Sequence, residues 1–236
     1  MTGMKSPVGC YRRVVTSTAF QRARTAEQQQ QRRDDILAAA RSLLADLPLE
    51  SISLRELART VGLSKSNVVR YFPTREAVFL AVLVEDSAVW LDDLAEALAG
   101  RGRARSGRGR NAEVARAVAA SLVRHPRCCE LLSAAQGVLE RNVDVETARW
   151  FKQSALDVLV RLGDAVGGRL PVLTPRQRFE VAGITWITVA GAWPASRPSP
   201  PVAEALSTPH LAPLTVDLET VVTTTLTAVL DGMTRP

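Results

Sequence analysis

The chain has 236 residues, of which 46% are hydrophobic and 23% are charged, and its formal net charge is +6. These proportions are those of a folded protein with a sizeable core, and they exclude an intrinsically disordered chain. The longest uncharged apolar run, residues 181–193, is too short to cross a bilayer, and three cysteines cannot build a disulfide framework, so we expect a cytoplasmic protein with no membrane partner.

The positive charge is concentrated in two segments. Residues 1–33 carry seven Lys and Arg against one Glu, and residues 101–110 carry five Arg and no acid. Residues 1–26 show no sustained apolar periodicity, so we predict a flexible basic arm there. Such charge suits either a polyanionic partner or simple solvation.

The first predicted helix follows the arm, at residues 27–46, where apolar residues recur with helical spacing. Ser53 then caps a short helical segment, Gly62 supplies a turn, and Ser64 caps a second short segment. A long amphipathic helix is predicted at residues 75–99. Four predicted helices therefore follow one another closely between residues 27 and 99.

The rest of the chain also predicts helices. The Arg/Gly-rich residues 100–110 are predicted to form a loop, and the Pro-rich residues 194–213 a loop holding at most one short helix. The stretch TVVTTTLTAVL is rich in β-branched residues, but its apolar positions follow a period of 3.6 residues, so we predict a helix. No strand is predicted, and the fold class is therefore all-α. The remaining predicted helices lie at 111–124, 126–141, 144–167, 175–193 and 216–231.

Two short capped helices around a tight turn are typical of a helix-turn-helix, whose second helix lies in the DNA major groove. Val68 and Phe72 are four residues apart and can both face the core, which leaves polar residues outward. Such a face suits phosphate contacts and the reading of base edges. An ordinary pair of antiparallel helices with a solvated polar face fits the same pattern. The outward residues are Lys65, Ser66, Asn67, Val69, Arg70 and Tyr71.

These residues resemble the TetR-type transcriptional repressors. That family has a capped helix, a Gly-apolar-Ser turn, a recognition helix ending in Tyr-Phe, and a fourth helix that begins Pro/Ser-x-Lys/Arg-Glu. The matching residues here are Ser53, Gly62-Leu63-Ser64, Tyr71-Phe72 and Pro73-Thr74-Arg75-Glu76-Ala77. The likeness covers about residues 27–85. It implies a three-helix helix-turn-helix domain at 27–74, joined by a long fourth helix to a helical domain, within 75–236, that dimerises and encloses a small-molecule pocket.

The resemblance also implies roles for single residues. Ser53 and Arg75 become phosphate contacts at the starts of the second and fourth helices. Val69 stands where the family often has Tyr and can offer only an apolar contact, while Asn67 could pair with adenine. The basic arm is expected to reach DNA through Arg12, Arg13, Arg22, Arg24, Arg32 and Arg33, whereas the loop arginines 101, 103, 105, 108 and 110 are not. The predicted DNA-binding residues are Ser53, Arg55, Ser64, Lys65, Ser66, Asn67, Val69, Arg70, Tyr71 and Arg75.

We expect the second half of the chain to contain a dimer interface and a ligand pocket. Because the helix at 175–193 has almost no polar face, it must be covered on both sides, and we expect a partner chain to cover one of them. Its interface residues, with those of the helix at 216–231, are predicted to be Ile184, Ile187, Val221 and Leu226. Ordinary core packing and pocket lining both account for each Trp. The predicted pocket residues are Trp90, Trp150, Phe151 and Trp186.

No nucleophile and base at suitable spacing, phosphate loop or metal motif is present in the sequence, so we expect no enzyme activity, no metal and no cofactor. We interpret the adjacent Cys128 and Cys129 as buried packing residues, with a redox sensor as the alternative. The predicted function is a sequence-specific regulator, a homodimeric repressor that a small-molecule effector releases from a pseudo-palindromic operator in double-stranded DNA. Two alternatives remain: a helical small-molecule binder without DNA activity, and a nucleoid-type protein that binds DNA without sequence preference.

Overall fold

The computed structural model describes residues 16–99 and 108–235, with side chains from residue 27 onward. Over these ranges the chain forms α-helices and no strand, which confirms the all-α prediction. A π turn at Ala135–Leu139 and a 3₁₀ turn at Glu140–Asn142 follow α6, and further 3₁₀ turns lie at Leu49–Ser51 and Ala212–Leu214. The helices are α1 (Thr16–Asp46), α2 (Leu54–Val61), α3 (Lys65–Val69), α4 (Arg75–Ala99), α5 (Arg108–Val123), α6 (Pro126–Ala134), α7 (Val145–Arg169), α8 (Pro175–Ser196), α9 (Pro200–Leu206) and α10 (Leu218–Met233).

Helices α1 to α3 form the head of the molecule, and their ends are fixed by the predicted caps. The Ser53 hydroxyl accepts the Glu56 backbone N–H at 3.1 Å, and the Ser64 hydroxyl accepts that of Asn67 at 3.2 Å. Gly62 ends α2 with φ of +73°, a left-handed conformation that residues with a Cβ rarely adopt. The head core consists of buried side chains from all three helices, the loop before α2 and the turn after α3: Ile36, Leu37, Ile52, Leu57, Val68 and Phe72.

The beginnings of α1 and α5 differ from the prediction. Helix α1 begins at Thr16 rather than at residue 27, so the predicted flexible arm is wrong for residues 16–26, and residues 1–15 lie outside the described part. The segment 16–26 lacks an apolar stripe, but it also lacks Gly and Pro and contains Ala, Arg and Gln, which favour helix. Helix α5 begins at Arg108 rather than residue 111, and residues 100–107 of the predicted loop are not described.

Helices α4 to α10 form the body. Helix α4 runs from the head into the body, where it packs against α5, α6 and α7, while α8 packs against α6, α7 and α10. The buried Asn111 at the start of α5 donates from its amide to Asp231 at 2.7 Å and to Thr234 at 2.8 Å, which ties α5 to the end of α10. The predicted helix at 126–141 is interrupted after Ala134 by the π turn, whereas α9 and α10 confirm the predictions for 194–213 and 216–231.

Helices α7 and α8 approach each other closely at two glycines. A Cβ on Gly163 would lie 2.9 Å from the backbone carbonyl oxygen of Arg178, and a Cβ on Gly167 would meet the Arg178 side chain. Two glycines four residues apart lie on one helix face, so they allow the α8 backbone to rest on α7 there. The crossing of α7 and α8 therefore depends on the absence of side chains at these positions.

Candidate nucleic-acid interface and ligand clefts

The exposed face of α3 is the candidate DNA-reading surface. Val68 and Phe72 are buried beneath it, and Val69 is 42% exposed, so the predicted division between core and outer face is the one observed. Helix α3 ends at Val69, which places Arg70 and Tyr71 in the turn that follows. The Ser64 and Ser66 hydroxyls are 2.9 Å apart and hydrogen-bonded. The exposed residues of this surface are Ser64, Lys65, Ser66, Asn67, Val69 and Arg70, with Tyr71 half-buried beside them.

Ser53 and Arg55 extend the polar surface at the start of α2, where both are exposed. The Ser53 hydroxyl oxygen accepts the helix-capping hydrogen bond, and its own proton remains a possible donor to a phosphate oxygen. Their geometry is therefore compatible with the predicted contacts to the DNA backbone.

Arg75 does not point toward a phosphate site as predicted. Its Nη1 donates to the backbone carbonyls of Leu49, Glu50 and Ile52 at 3.2, 3.2 and 2.8 Å, and its Nε pairs with Glu76 at 2.9 Å. These contacts engage the guanidinium with backbone carbonyl oxygens and a carboxylate of the same chain. Arg75 thus fastens the loop before α2 to the start of α4.

Arg33 also differs from its predicted role as part of the DNA-reaching arm. Its guanidinium carbon lies 4.3 Å from the centre of the Phe72 ring and 5.9 Å from that of Trp150, so it is held by cation–π contacts between the head and α7. Arg32 remains exposed and pairs with Asp35 at 3.5 Å. Arg12 and Arg13 lie outside the described residues, and Arg22 and Arg24 lie on the α1 backbone without described side chains.

Trp90 lies in the core and lines neither of the two clefts described below. It is 3% exposed, and its indole nitrogen donates to the Ser121 hydroxyl of α5 at 2.9 Å. The Ser121 hydroxyl in turn donates to the Val118 carbonyl at 2.7 Å. Trp90 is therefore core that joins α4 to α5, and the alternative of ordinary packing is the one observed.

The other three predicted pocket residues divide between two openings. Phe151 and Trp186 line a groove of about 260 Å³ between α7 and α8, with Ala155 and Leu159. Its rim carries an ion pair between Lys152 and Glu140 at 2.6 Å. Trp150 lies instead in a different cleft, of about 450 Å³, between the head and α7.

The predicted interface residues also divide. Ile187 is 69% exposed, and Ile184 and Val221 are half-buried, but Leu226 is 1% exposed, so its assignment to a dimer interface is wrong. Leu226 belongs to the α10 row that faces this chain's own core, namely Leu218, Val222, Leu226 and Leu230. The opposite, exposed row of α10 is Thr224, Ala228 and Gly232.

An ion-pair network joins the head to the body, and sequence reasoning missed it. The Asp86 carboxylate on α4 is 7% exposed and accepts from Arg41 Nε of α1 at 2.9 Å and from Arg127 Nε of α6 at 2.5 Å. Arg41 also donates to the exposed Glu85 at 2.5 Å. The signal available in the sequence was an acid within the apolar start of α4, which needs a partner once buried.

Cys128 and Cys129 are buried, at 3% and 0% exposed, as expected of packing residues. The Cys128 sulfur lies 3.6 Å from the Ser87 hydroxyl, and burial raises the pKa of its thiol to about 11. Burial also raises the pKa of Cys129. Both thiols therefore stay protonated at neutral pH. Because the thiolate is the reactive form of cysteine, neither is in its reactive form at that pH.

Comparison with known proteins divides the chain within α4, between residues 82 and 84. A model of bacterial regulatory proteins of the tetR family matches residues 36–82, and a model of a tetracyclin repressor-like C-terminal domain matches residues 84–236. Across described residues 16–99 and 108–235, no helix has the length and apolarity needed to span a membrane.

Similar proteins include two curated regulators and one solved structure. EthR of Mycobacterium tuberculosis is 44% identical over 64 residues, 26% of this chain and 30% of that protein, and RutR of Escherichia coli is 36% identical over 59 residues, 25% and 28%. The matches thus span less than a third of either regulator. The structure of Thermus thermophilus FadR, a transcriptional repressor in complex with lauroyl-CoA, aligns with 86% of this chain and 96% of its own, with a TM-score of 0.57 at 21% identity, which shows a shared fold.

Proposed function

Because this chain belongs to the TetR family of bacterial regulatory proteins, we propose that it is a sequence-specific DNA-binding repressor released from its operator by a small-molecule effector. The observation that carries the proposal is the exposed polar face of α3, which buried Val68 and Phe72 hold against the head core. A recognition helix needs this combination, since its outer side chains must enter the major groove while its inner ones fix the angle of entry. Binding to an operator places its site of action in the cytoplasm.

Within this proposal, the exposed residues have distinct roles. Asn67 can donate to and accept from the adenine edge as a bidentate pair, a contact worth about 1–3 kcal/mol of discrimination between bases. Lys65 and Arg70 carry charge to phosphates or guanine, and Ser53 and Arg55 contact the backbone beside them. The operator is expected to have an adenine that Asn67 reads.

The test begins with selection of bound fragments from the organism's own DNA, followed by footprinting of the selected site. Asn67→Ala should relax the preference at one base pair of each half-site, and Lys65→Ala should weaken all sequences alike if Lys65 binds phosphate. Arg161→Ala, which removes an exposed arginine of the body, is the matched control and should change neither. Protection without a discrete site would indicate a nucleoid-type protein, and absence of retained DNA would indicate a small-molecule binder.

The proposal includes a homodimer formed by the outer faces of α8 and α10. Phe179, Gly183 and Ile187 follow one another at four-residue spacing on α8, and Phe179 and Ile187 are exposed in the single chain. A Cβ at Gly183 would meet no atom within 4 Å in this chain, so the surface there is open to a partner helix. The neighbouring exposed row of α10 is small, which permits close approach.

A two-fold dimer would place its recognition helices about 34–36 Å apart, so the operator should be a pseudo-palindrome with half-sites one turn apart. Ile187→Arg should give monomers by sedimentation equilibrium and weaken operator binding. Leu214→Arg, at a position 65% exposed before α10, is the control and should remain dimeric. A monomeric Ile187→Arg that binds the operator as tightly as wild type would contradict the proposed interface.

The effector is proposed to occupy the groove between α7 and α8, which Gly183 and Ile187 of the proposed dimer interface also line, so a partner chain would border it. The walls from Phe151, Ala155 and Trp186 are apolar, and the Lys152–Glu140 pair at the rim offers one polar anchor, so the effector would be a small apolar molecule with one polar end. The coupling free energy between two sites is reciprocal and typically about 1–3 kcal/mol. Operator DNA should therefore weaken effector binding by the same factor by which the effector weakens operator binding. Ala155→Trp should fill the groove and abolish the response while leaving operator binding intact.

A further inference from the structure

The cleft between the head and the body is separate from the groove just described. Its volume is about 450 Å³, within the range of small-molecule sites. The head contributes Arg33 and the three consecutive residues 71–73, which end the recognition segment. The body contributes Glu146, Thr147 and Trp150 from the first turns of α7, and Ala77 of α4 completes the lining. A molecule in this cleft would therefore touch both parts of the protein at once.

Arg33 gives the cleft its chemical character. Its guanidinium lies between the Phe72 and Trp150 rings, at 4.3 and 5.9 Å from their centres, and is half-buried. Within the described ranges no carboxylate oxygen lies within 4 Å of it, and desolvation lowers the pKa of this guanidinium, with Glu85 and Asp34 opposing that effect from a distance. A guanidinium that stacks on aromatic rings keeps the N–H groups of its edge available for a planar anion.

Trp150 supplies the second half of the site. It is 39% exposed, although a Trp of this chain such as Trp90 can be almost completely buried. Its ring borders the cleft beside Arg33, so an aromatic ring placed against it would be covered and its acid group would reach the arginine. Glu146, on the same helix, would repel a second negative charge and could accept a hydrogen bond from a hydroxyl or amino substituent.

We propose that this cleft binds a planar aromatic monocarboxylate, with its carboxylate on Arg33 and its ring against Trp150. Only the effect of binding on DNA recognition rests on the proposed function. An occupant that touches Tyr71 and α7 together would favour one placement of the head on the body. Binding itself requires no DNA.

The test measures binding of 1-naphthoate to the full-length protein by calorimetry, with 1-naphthamide as the neutral probe of the same shape. Wild type should bind 1-naphthoate saturably and 1-naphthamide at least about tenfold more weakly, since a hydrogen-bonded charge pair is worth about a factor of ten or more. Arg33→Gln and Trp150→Leu should each lose about tenfold. Arg32→Gln makes the same charge change at the exposed neighbouring residue, and Trp186→Leu alters the groove between α7 and α8, so both should bind as wild type does.

Other results would overturn the site. Loss of binding in Trp186→Leu rather than in Trp150→Leu would assign the probe to the other groove. Equal binding to Arg33→Gln and Arg32→Gln would exclude the arginine. If none of 1-naphthoate, benzoate, salicylate and indole-3-carboxylate binds saturably, while Arg33→Gln lowers the melting temperature, then Arg33 is a structural contact between rings and the cleft is not a site. Each result is obtained without DNA, so it is distinct from a failure to find an operator.

Discussion

The head and the body of this protein are held together in different ways. In the head, α2 and α3 have eight and five residues and depend on caps, a left-handed glycine and a few buried side chains. In the body, α4, α7 and α8 have 25, 25 and 22 residues and are covered by neighbours on several sides. The outer residues of the head are thus free to serve recognition, whereas most positions of the body are constrained by packing.

Because of this difference, the same kind of substitution should have different consequences in the head and in the body. A change on the outer face of α3 should alter DNA binding with little effect on the free energy of unfolding. A change inside the body should alter stability first, and operator binding only through it.

The largest effect is expected at Trp90. Trp90→Ala should lower the free energy of unfolding by about 3–5 kcal/mol, because it leaves a large cavity between α4 and α5 and removes the donor to Ser121. Asn67→Ala should change it by less than about 0.5 kcal/mol. Urea denaturation at one protein concentration measures both. Similar small losses for the two variants would remove the distinction between head and body.

Asp86 tests the boundary between the two regions. Asp86→Ala should cost about 3 kcal/mol, because it leaves Arg41 of α1 and Arg127 of α6 facing a site without their shared carboxylate. Glu85→Ala removes a neighbouring carboxylate that is 46% exposed and pairs with Arg41 as well, and should cost less than about 1 kcal/mol. A larger loss for Glu85 than for Asp86 would mean that burial does not set the strength of this network.

Two glycines of α7 differ in whether a side chain would fit beside them. Gly163→Ala should destabilise by about 1–3 kcal/mol, because its Cβ would lie 2.9 Å from a backbone oxygen of Arg178. Gly168→Ala, where a Cβ meets nothing within 4 Å, should stabilise by up to about 1 kcal/mol through helix propensity. Thermal unfolding of the two variants checks the opposite signs, and equal shifts would contradict the close approach of α7 and α8.

The smallest effect is expected in the pH dependence of the body. The pKa of Cys128 is raised from an ordinary value of about 9 to about 11 in the folded chain, so the folded state holds the thiol proton over that interval. Its contribution is complete below about pH 8.5 and falls as pH rises, by about 1 kcal/mol at pH 9.5. Cys128→Ala should make the fall in stability between pH 8.5 and 10 less steep, with Cys129 accounting for part of what remains, and an unchanged slope would rule out this source.

The head could be predicted from sequence because its signals are local. Ser53, Gly62 and Ser64 define helix ends by their own chemistry, and the spacing of Val68 and Phe72 decides which face is buried. In the body, no comparable local signal shows which face of a helix is buried. Helices covered on several sides have apolar residues on every face, so periodicity could not separate the inward Leu226 from the exposed Ile187, or the core Trp90 from the cleft-lining Trp150.

Arginines were the other source of error, since the partners of a long charged side chain depend on the tertiary fold. Arg33 was assigned to DNA and lies on Phe72, and Arg75 was assigned to phosphate and binds carbonyls 23 to 26 residues earlier in the chain. In the Asp86 network, Arg41 lies 45 positions before Asp86 in the sequence and Arg127 lies 41 positions after it. Hydrophobic periodicity carries no information over such separations. Charge alone predicted the attraction of these residues for anions and acceptors, but not which ones.

The three hydrogen bonds from Arg75 to the loop before α2 bear on how such proteins can be recombined. The helix boundaries suggest residue 74 as the junction for exchanging heads between relatives. With a junction there, however, the carbonyls of the donor head would face the side chain that the recipient carries at the first position of α4. A junction after residue 82, where the match to the family's N-terminal model ends, transfers the arginine with its acceptors. The unit that can be inherited intact is therefore longer than the unit that reads DNA, and its last eight residues belong to the helix that leads into the body.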